Sequence, residues 1–352
     1  MGTASHFLTG VIEGFYGRDW SWESRQHYAT YLKQLGLNTY LYCPKSDSCL
    51  RRTWHDSWPT AQRQQLEAVG RAYTSCGLNW GVGLSPYGLY LDYGSKAREQ
   101  LRRKIDELGA LGAPLLAVLF DDMPGDVEDL AERQAQIVND IARWLPDTRL
   151  LVCPTYYSFD PVLERHFGAM PRDYWPELGR LLPVEVDIFW TGNRVCSEAI
   201  QSADIARIHE LLGRAVTLWD NYPVNDGAIR SRYLYARALP ERDRSMQPLL
   251  RGHLCNPMNQ ALLSLPALLG LAGLYESGSG DEHTLSNWLG EAFWQRFRQD
   301  AAVFEDAGLD GIGEKRCRDL AAVYAQIDAP AAREVSDWLS GRYRFDPSCL
   351  TD

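Results

Sequence analysis

The sequence predicts an α/β fold: a (β/α)8 TIM barrel followed by a small C-terminal helical segment. Three observations predict it. Eight short apolar runs alternate with segments of helical period through residues 1–275. The runs are almost continuously apolar, as strands buried on both faces must be. Polar residues gather at their C-terminal ends, where such a barrel carries its chemistry. Strict alternation implies parallel strands with right-handed crossovers. Eight units favour closure over an open sheet.

The first predicted strand is 7–15 (FLTGVIEGF), followed by a helix capped by Ser21, with Tyr28, Tyr31, Leu32 and Leu35 on one face. Strand two is 38–44 (NTYLYCP), with a helix through 65–76. Strand three is 79–86 (NWGVGLSP); its helix spaces Ala97, Leu101, Ile105 and Leu108 along one side. Strand four is 115–122 (LLAVLFDD). Its helix carries Val127, Leu130, Val138, Ile141 and Leu145, and Asp126, Glu128 and Asp129 are expected in the acidic first turn. Strands five and six are 150–155 (LLVCPT) and 186–192 (VDIFWTG). A helix over 203–212 precedes strand seven, 216–221 (VTLWDN), and strand eight is 249–257 (LLRGHLCNP). Gly278-Ser279-Gly280-Asp281 reads as a linker turn. Beyond it the period is helical, so residues 1–275 are assigned to a catalytic barrel and 276–352 to a helical appendage.

The hydrophobic fraction of 45% permits a large core, and the charged fraction of 23% argues against disorder. The formal charge is −10 and no dense basic run occurs, which speaks against nucleic acid or an anionic membrane as main partner. No apolar run is long enough to span a bilayer. The first residues lack a secretory pattern, and His6 stands where a myristoylation motif needs Ser or Thr. The eight cysteines are scattered without a CxxC pair, so a zinc site is not expected. Cys43, Cys153 and Cys255 end strand-like runs and read as buried thiols. Together these features point to a soluble cytoplasmic protein. No nucleotide-binding glycine motif is present, and no cofactor or metal is expected.

The polar residues at strand ends are Glu13, Tyr16, Lys45, Asp121, Asp122, Tyr156, Tyr157, Thr191, Asp220, Asn221, Asp226, Asn256 and Asn259. Asp121 and Asp122 are the sharpest feature. Along a regular strand they would point to opposite faces, but where the chain turns both can face a ligand. Two carboxylates held close do not ionise together readily, so one stays an anion while the other keeps a proton. That division suits glycoside hydrolysis. The competing readings are a helix cap plus a lysine partner, or a metal site with the acidic residues that follow. Lys45 could bind a sugar hydroxyl or neutralise the acidic end. Among the 12 tryptophans, Trp190 and Trp219 sit near strand ends and could stack on a sugar. His253 reads as structural.

GVIEGFYGRDW, NTYLYCPK, LFDDMPGD, CPTYY, WTG, LWDNYPVND and CNP occur in that order. Together they resemble glycoside hydrolase family 84, the protein O-GlcNAcases and bacterial β-N-acetylglucosaminidases, over roughly residues 8–275. The resemblance implies a retaining, substrate-assisted hydrolysis of β-linked N-acetylglucosamine from a glycoconjugate or glycoprotein through an oxazoline. By motif position, Asp121 would hold the acetamido N–H, Asp122 would be the general acid and then base, and Tyr157 would steady the acetamido oxygen. Trp219, Asn221 and Cys153 would line the acetamido pocket. Gly14, Lys45, Asp226 and Asn256 would bind the sugar hydroxyls. Ser46 and Tyr156 depart from acidic residues typical of the family, the second with an expected change of charge beside the leaving group. The oligomeric state and the natural leaving group stay open. The rival functions are a non-catalytic sugar-binding barrel and a metal-dependent barrel hydrolase.

Overall fold

Eight parallel strands close a barrel in sequence order. They are β1 (Leu8–Glu13), β2 (Thr39–Tyr42), β3 (Asn79–Leu84), β4 (Leu115–Leu119), β5 (Arg149–Cys153), β6 (Asp187–Trp190), β7 (Val216–Asp220) and β8 (Leu250–Cys255). The computed structural model describes residues 7–278 and 280–345. His6, Ser279 and Cys349 lie outside the described residues. Closure comes from β1 pairing with β8, Leu8 opposite Gly252 and Val11 opposite Cys255. Each predicted strand contains its observed one, except that β5 begins at Arg149. Most run on past it at the C-terminal side. Those trailing residues leave the ladder because their polar groups form the loops that carry the site.

The outer layer is α1 (Trp22–Gln34), α2 (Thr60–Ser75), α3 (Ser95–Gly109), α4 (Leu130–Trp144), α5 (Val162–Phe167), α6 (Tyr174–Leu181), α7 (Ser202–Leu212), α8 (Gly227–Arg230) and α9 (Leu265–Leu274). Ser21 caps α1 by accepting the Ser24 N–H, which satisfies one of the free donors of the first turn. Tyr28 and Leu32 are buried as the spacing requires. The helices between β5 and β6 were not anticipated. α5 has six residues and α6 eight, too few turns for a clear period. The acidic run before α4 is also corrected. The helix begins at Leu130, so Asp126 and Glu128 belong to the preceding loop.

After Leu274 come α10 (Glu282–Leu289), α11 (Glu291–Asp306), α12 (Gly308–Ile312), α13 (Glu314–Tyr324) and α14 (Pro330–Leu339). Phe293, Phe297, Phe304, Tyr324 and Trp338 form their shared core. They also grip the barrel: the Trp338 indole donates to the Ser231 carbonyl at 3.1 Å, and Trp288 packs on Tyr31 of α1 at 4.9 Å. No helix of the described residues is long and apolar enough to cross a membrane. Cys43, Cys153 and Cys255 are buried free thiols.

Glu334 of α14 ties the tail to the barrel by accepting the backbone N–H groups of Leu262 at 3.0 Å and Leu263 at 3.1 Å. Burial pushes its carboxyl up to about 7, although those donors pull against it. A folded value raised above the ordinary 4.5 gives stability that is fully present below 4.5 and lost as pH rises through about 7. The side chain keeps partial solvent contact, so the loss is on the order of 2 kcal/mol at most. Urea unfolding at about pH 5 and about pH 7.5 checks this. Glu334→Gln should remove that part of the stability difference, and an unchanged difference rules Glu334 out as its source.

Candidate active site

All ten residues singled out by the sequence line one pocket of about 160 Å³ at the C-terminal end of the barrel, together with Tyr16, Thr191, Val195, Cys196 and Val224. Gly14 and Tyr16 follow β1, Lys45 follows β2, and Asp121 and Asp122 follow β4. Cys153 ends β5 and Tyr157 lies in the next loop. Trp219 is in β7, with Asn221 and Asp226 after it, and Asn256 follows β8.

The adjacent carboxylates share the pocket because the chain reverses between them and the helix. The Phe120 N–H bonds the Cys153 carbonyl at 2.8 Å and the Thr155 hydroxyl donates to the Phe120 carbonyl at 2.9 Å, which fixes the end of β4. Asp122 then adopts a φ of 57°, a left-handed conformation that Asp tolerates better than most residues. The two side chains meet different partners. Asp121, 5% exposed, is ion-paired with the Lys45 ammonium. Burial works against that ammonium, but Asp121, by charge and hydrogen bond, together with Asp122 outweighs it, and Lys45 is held above its ordinary range. Asp122 accepts the Tyr16 hydroxyl at 2.9 Å and the Tyr157 hydroxyl at 3.2 Å, one on each oxygen. Burial, then the two carboxylates, push the Tyr157 phenol well above its usual range, so it remains a neutral donor.

The opposite wall is built on Gly14. A Cβ there would stand 2.3 Å from Cζ2 of Trp219, so only glycine lets the indole reach its place. The Gly14 N–H donates to Asn256 Oδ1 at 3.2 Å, and Asn256 Nδ2 donates to Asn221 Oδ1 at 2.9 Å. The Trp219 indole N–H meets the same Asn221 oxygen at 3.1 Å, while Asn221 Nδ2 donates to the Val195 carbonyl at 2.8 Å. Loops after β1, β6, β7 and β8 are thus locked together. Asp226 accepts the Tyr16 N–H at 2.9 Å. Burial raises its carboxyl, with that donor pulling the other way. The Cys153 thiol is pushed well up by burial and stays neutral.

Several strand-end candidates are elsewhere. Glu13 turns inward against Arg25, at 2.6 Å, and against Tyr40. Asp220 is bound by Arg242 at 2.7 Å and by His253 at 2.9 Å, and Arg242, with burial opposing it, holds its carboxyl far below the usual range. Asn259 clamps the Tyr16 and Arg18 carbonyls. Trp190 is fully buried and packs edge-on against Phe159 at 4.8 Å, so it is a core residue and no sugar platform. Tyr156 is buried as well. Its hydroxyl donates to the Gly168 carbonyl at 2.7 Å, so it braces a loop.

Tyr16 is the main participant that strand-end polarity alone left without a role. Its hydroxyl is 106 positions from Asp122 in sequence, and nothing local links them. Val195, Cys196 and Val224 had no signal, being apolar or weakly polar residues in loops. Among the described residues, Asp220, His253 and Cys255 are close enough to offer three metal-ligand atoms within 4.8 Å. Both Asp220 oxygens engage Arg242, and His253 is held between Asp220 and Tyr275. This donor set fits an ion-paired cluster and not a cation.

Residues 9–302 match the family described as beta-N-acetylglucosaminidase. The chain is 31% identical over 287 residues to the Protein O-GlcNAcases of Rattus norvegicus and Mus musculus, an alignment covering 78% of this chain. It spans 31% of the length of those curated relatives. A solved mutant of an O-GlcNAc hydrolase from Thermobaculum terrenum superposes with a TM-score of 0.77 at 26% identity, over 96% of this chain and 82% of that one.

Proposed function

Because the chain belongs to the beta-N-acetylglucosaminidase family, glycoside hydrolase family 84, we propose that it releases terminal β-linked N-acetylglucosamine from glycoconjugates, O-GlcNAc-modified proteins included, with retention. The observation that carries this reading is the unequal partnership of two adjacent carboxylates: Asp121 with an ammonium, Asp122 with two phenols.

The substrate's acetamido oxygen attacks the anomeric carbon as the bond to the leaving oxygen breaks. Asp122 gives its proton to that oxygen. Asp121, ion-paired with the Lys45 ammonium, accepts the acetamido N–H, aligns the nucleophile and balances the positive charge that develops on it. With substrate bound, the Tyr157 hydroxyl turns its one proton from Asp122 to the acetamido oxygen. Trp219, Asn221 and Cys153 enclose the acetamido group. Gly14 through its backbone, Lys45, Asp226 and Asn256 hold the hydroxyls. Water then opens the oxazoline with Asp122 as base, and the retained hemiacetal leaves. This scheme departs from the two-carboxylate retaining mechanism because the substrate supplies the nucleophile. It employs groups of this chain, the substrate and one water. The described cysteines are free thiols, which supports a reducing compartment, and we assign the protein to the cytoplasm.

The test is a pair of aryl β-glycosides that differ only at C2. The 2-acetamido compound should turn over and the 2-hydroxyl compound should not. Comparable rates on both would remove substrate assistance. Tight binding of an N-acetylglucosamine-derived thiazoline without any turnover would favour a non-catalytic barrel.

A further inference from the structure

A second hollow of about 350 Å³ opens beside the sugar pocket, lined by Tyr87, Pro124, Asp126, His166, Phe167 and Gly168. Among the described residues, Asp122 is the one that lines both. Resting on the activity proposed above, we infer that this hollow seats the leaving group and selects a peptide with a basic side chain beside the sugar-bearing residue.

Position is the first argument. A general acid must point at the departing oxygen, so the space across Asp122 from the sugar pocket receives what departs. Preformation is the second. The Gly125 N–H bonds the Phe167 carbonyl at 2.6 Å, and Tyr156 holds the Gly168 carbonyl. Tyr90 donates to the Pro124 carbonyl from the loop after β3. A Cβ on Gly125 would stand 2.3 Å from the Tyr156 hydroxyl oxygen, so the loops after β4 and β5 close on each other only with glycine there. Three loops therefore form a braced wall and not a chance dent.

Charge and shape name the occupant. The lining holds the exposed Asp126 carboxylate beside Asp122, and the one guanidinium seen against it among the described residues, Arg51, is buried behind Tyr87 and bonded to the Asp122 carbonyl at 3.4 Å. Asp126 is exposed in the loop before α4, with Glu128 and Asp129 following. A cationic side chain is attracted there and an acidic one repelled. Tyr87 and Leu91, at 39% and 48% exposed, are among the few large apolar side chains left in solvent, and both lie on the loop after β3. Tyr87 also lines the hollow, an apolar wall that a peptide running past the sugar-bearing residue would cover.

The experiment uses the full chain and two O-GlcNAc-serine peptides, identical except for Lys or Glu after the modified serine. The Lys/Glu ratio of kcat/KM is the readout, so a general loss of activity in a variant cancels. We expect about threefold in favour of Lys, the size of one partly screened charge pair, shrinking towards one in high salt. Asp126→Asn should bring the ratio to one and Asp126→Lys should invert it. A wild-type ratio of one, a ratio that survives both substitutions, or faster cleavage of chitobiose than of either peptide overturns the inference. An aryl N-acetylglucosaminide run with the same preparation separates the two readings. No turnover there sinks the activity itself, whereas turnover with a ratio of one sinks only the leaving-group assignment.

Discussion

Asp122→Ala should lower kcat/KM by about 10³-fold for substrates with poor leaving groups, such as alkyl or serine-linked N-acetylglucosamine, and by about tenfold or less for nitrophenyl glycosides. A nitrophenolate departs without a proton, so the first step no longer needs the acid. The effect must be read in kcat/KM, which reports the steps through departure of the leaving group. In the proposed scheme, opening of the oxazoline still needs Asp122 as base, so kcat should fall for every substrate. The structure adds a reason for the sensitivity. Asp122 has a left-handed backbone and two phenol donors, Tyr16 and Tyr157, and each constraint fixes where its carboxyl points. Equal losses across a leaving-group series would mean that Asp122 is not the acid.

Asp121→Asn should cost about 10²- to 10³-fold in kcat/KM, and by the same factor for good and poor leaving groups. In the proposed scheme this residue acts on the acetamide, which attacks in every case. A plot of log kcat/KM against leaving-group acidity should therefore drop in parallel, whereas Asp122→Ala should steepen it. The substitution also leaves the Lys45 ammonium, 2% exposed, without its carboxylate. Removing one partner of a buried pair costs about 3–5 kcal/mol, so a lower Tm is expected beside the kinetic loss. A steepened plot for Asp121→Asn would mean that the two roles are exchanged.

Much of this was legible in the sequence because the relevant signals are local. Each strand is a short apolar run ending in polar residues, and that register alone predicted a barrel and marked the end that carries the site. The motif order then sorted the polar residues into candidates, and all ten chosen face one pocket. Polarity at a strand end did not by itself separate the residues that face the pocket from those that do not. Asp220 and Asn221 are neighbours in β7 and its loop, yet Asp220 is consumed by Arg242 and His253 while Asn221 reaches the pocket. Trp190 and Trp219 occupy similar places on adjacent strands, and only Trp219 lines it. The side chains of β6 and β7 meet different neighbours, Phe159 and Trp175 in one case and the open space over Gly14 in the other.

By itself the sequence determined the order of strands, the closing of the barrel and the identity of its two neighbouring aspartates. Period and composition act within a few residues, and a chain carries that information directly. Motif order gave those aspartates different roles, and tertiary structure alone decided which partners each one meets. Lys45 reaches Asp121 across 76 positions, and Tyr16 reaches Asp122 across 106. It also decided that Tyr156 braces a wall of the second hollow and that Asp126 stands in a loop beside it, outside the helix that follows. Such contacts depend on which strand ends the closed barrel brings side by side and on a single left-handed residue at Asp122. They arise from the geometry of closure, which no local pattern encodes.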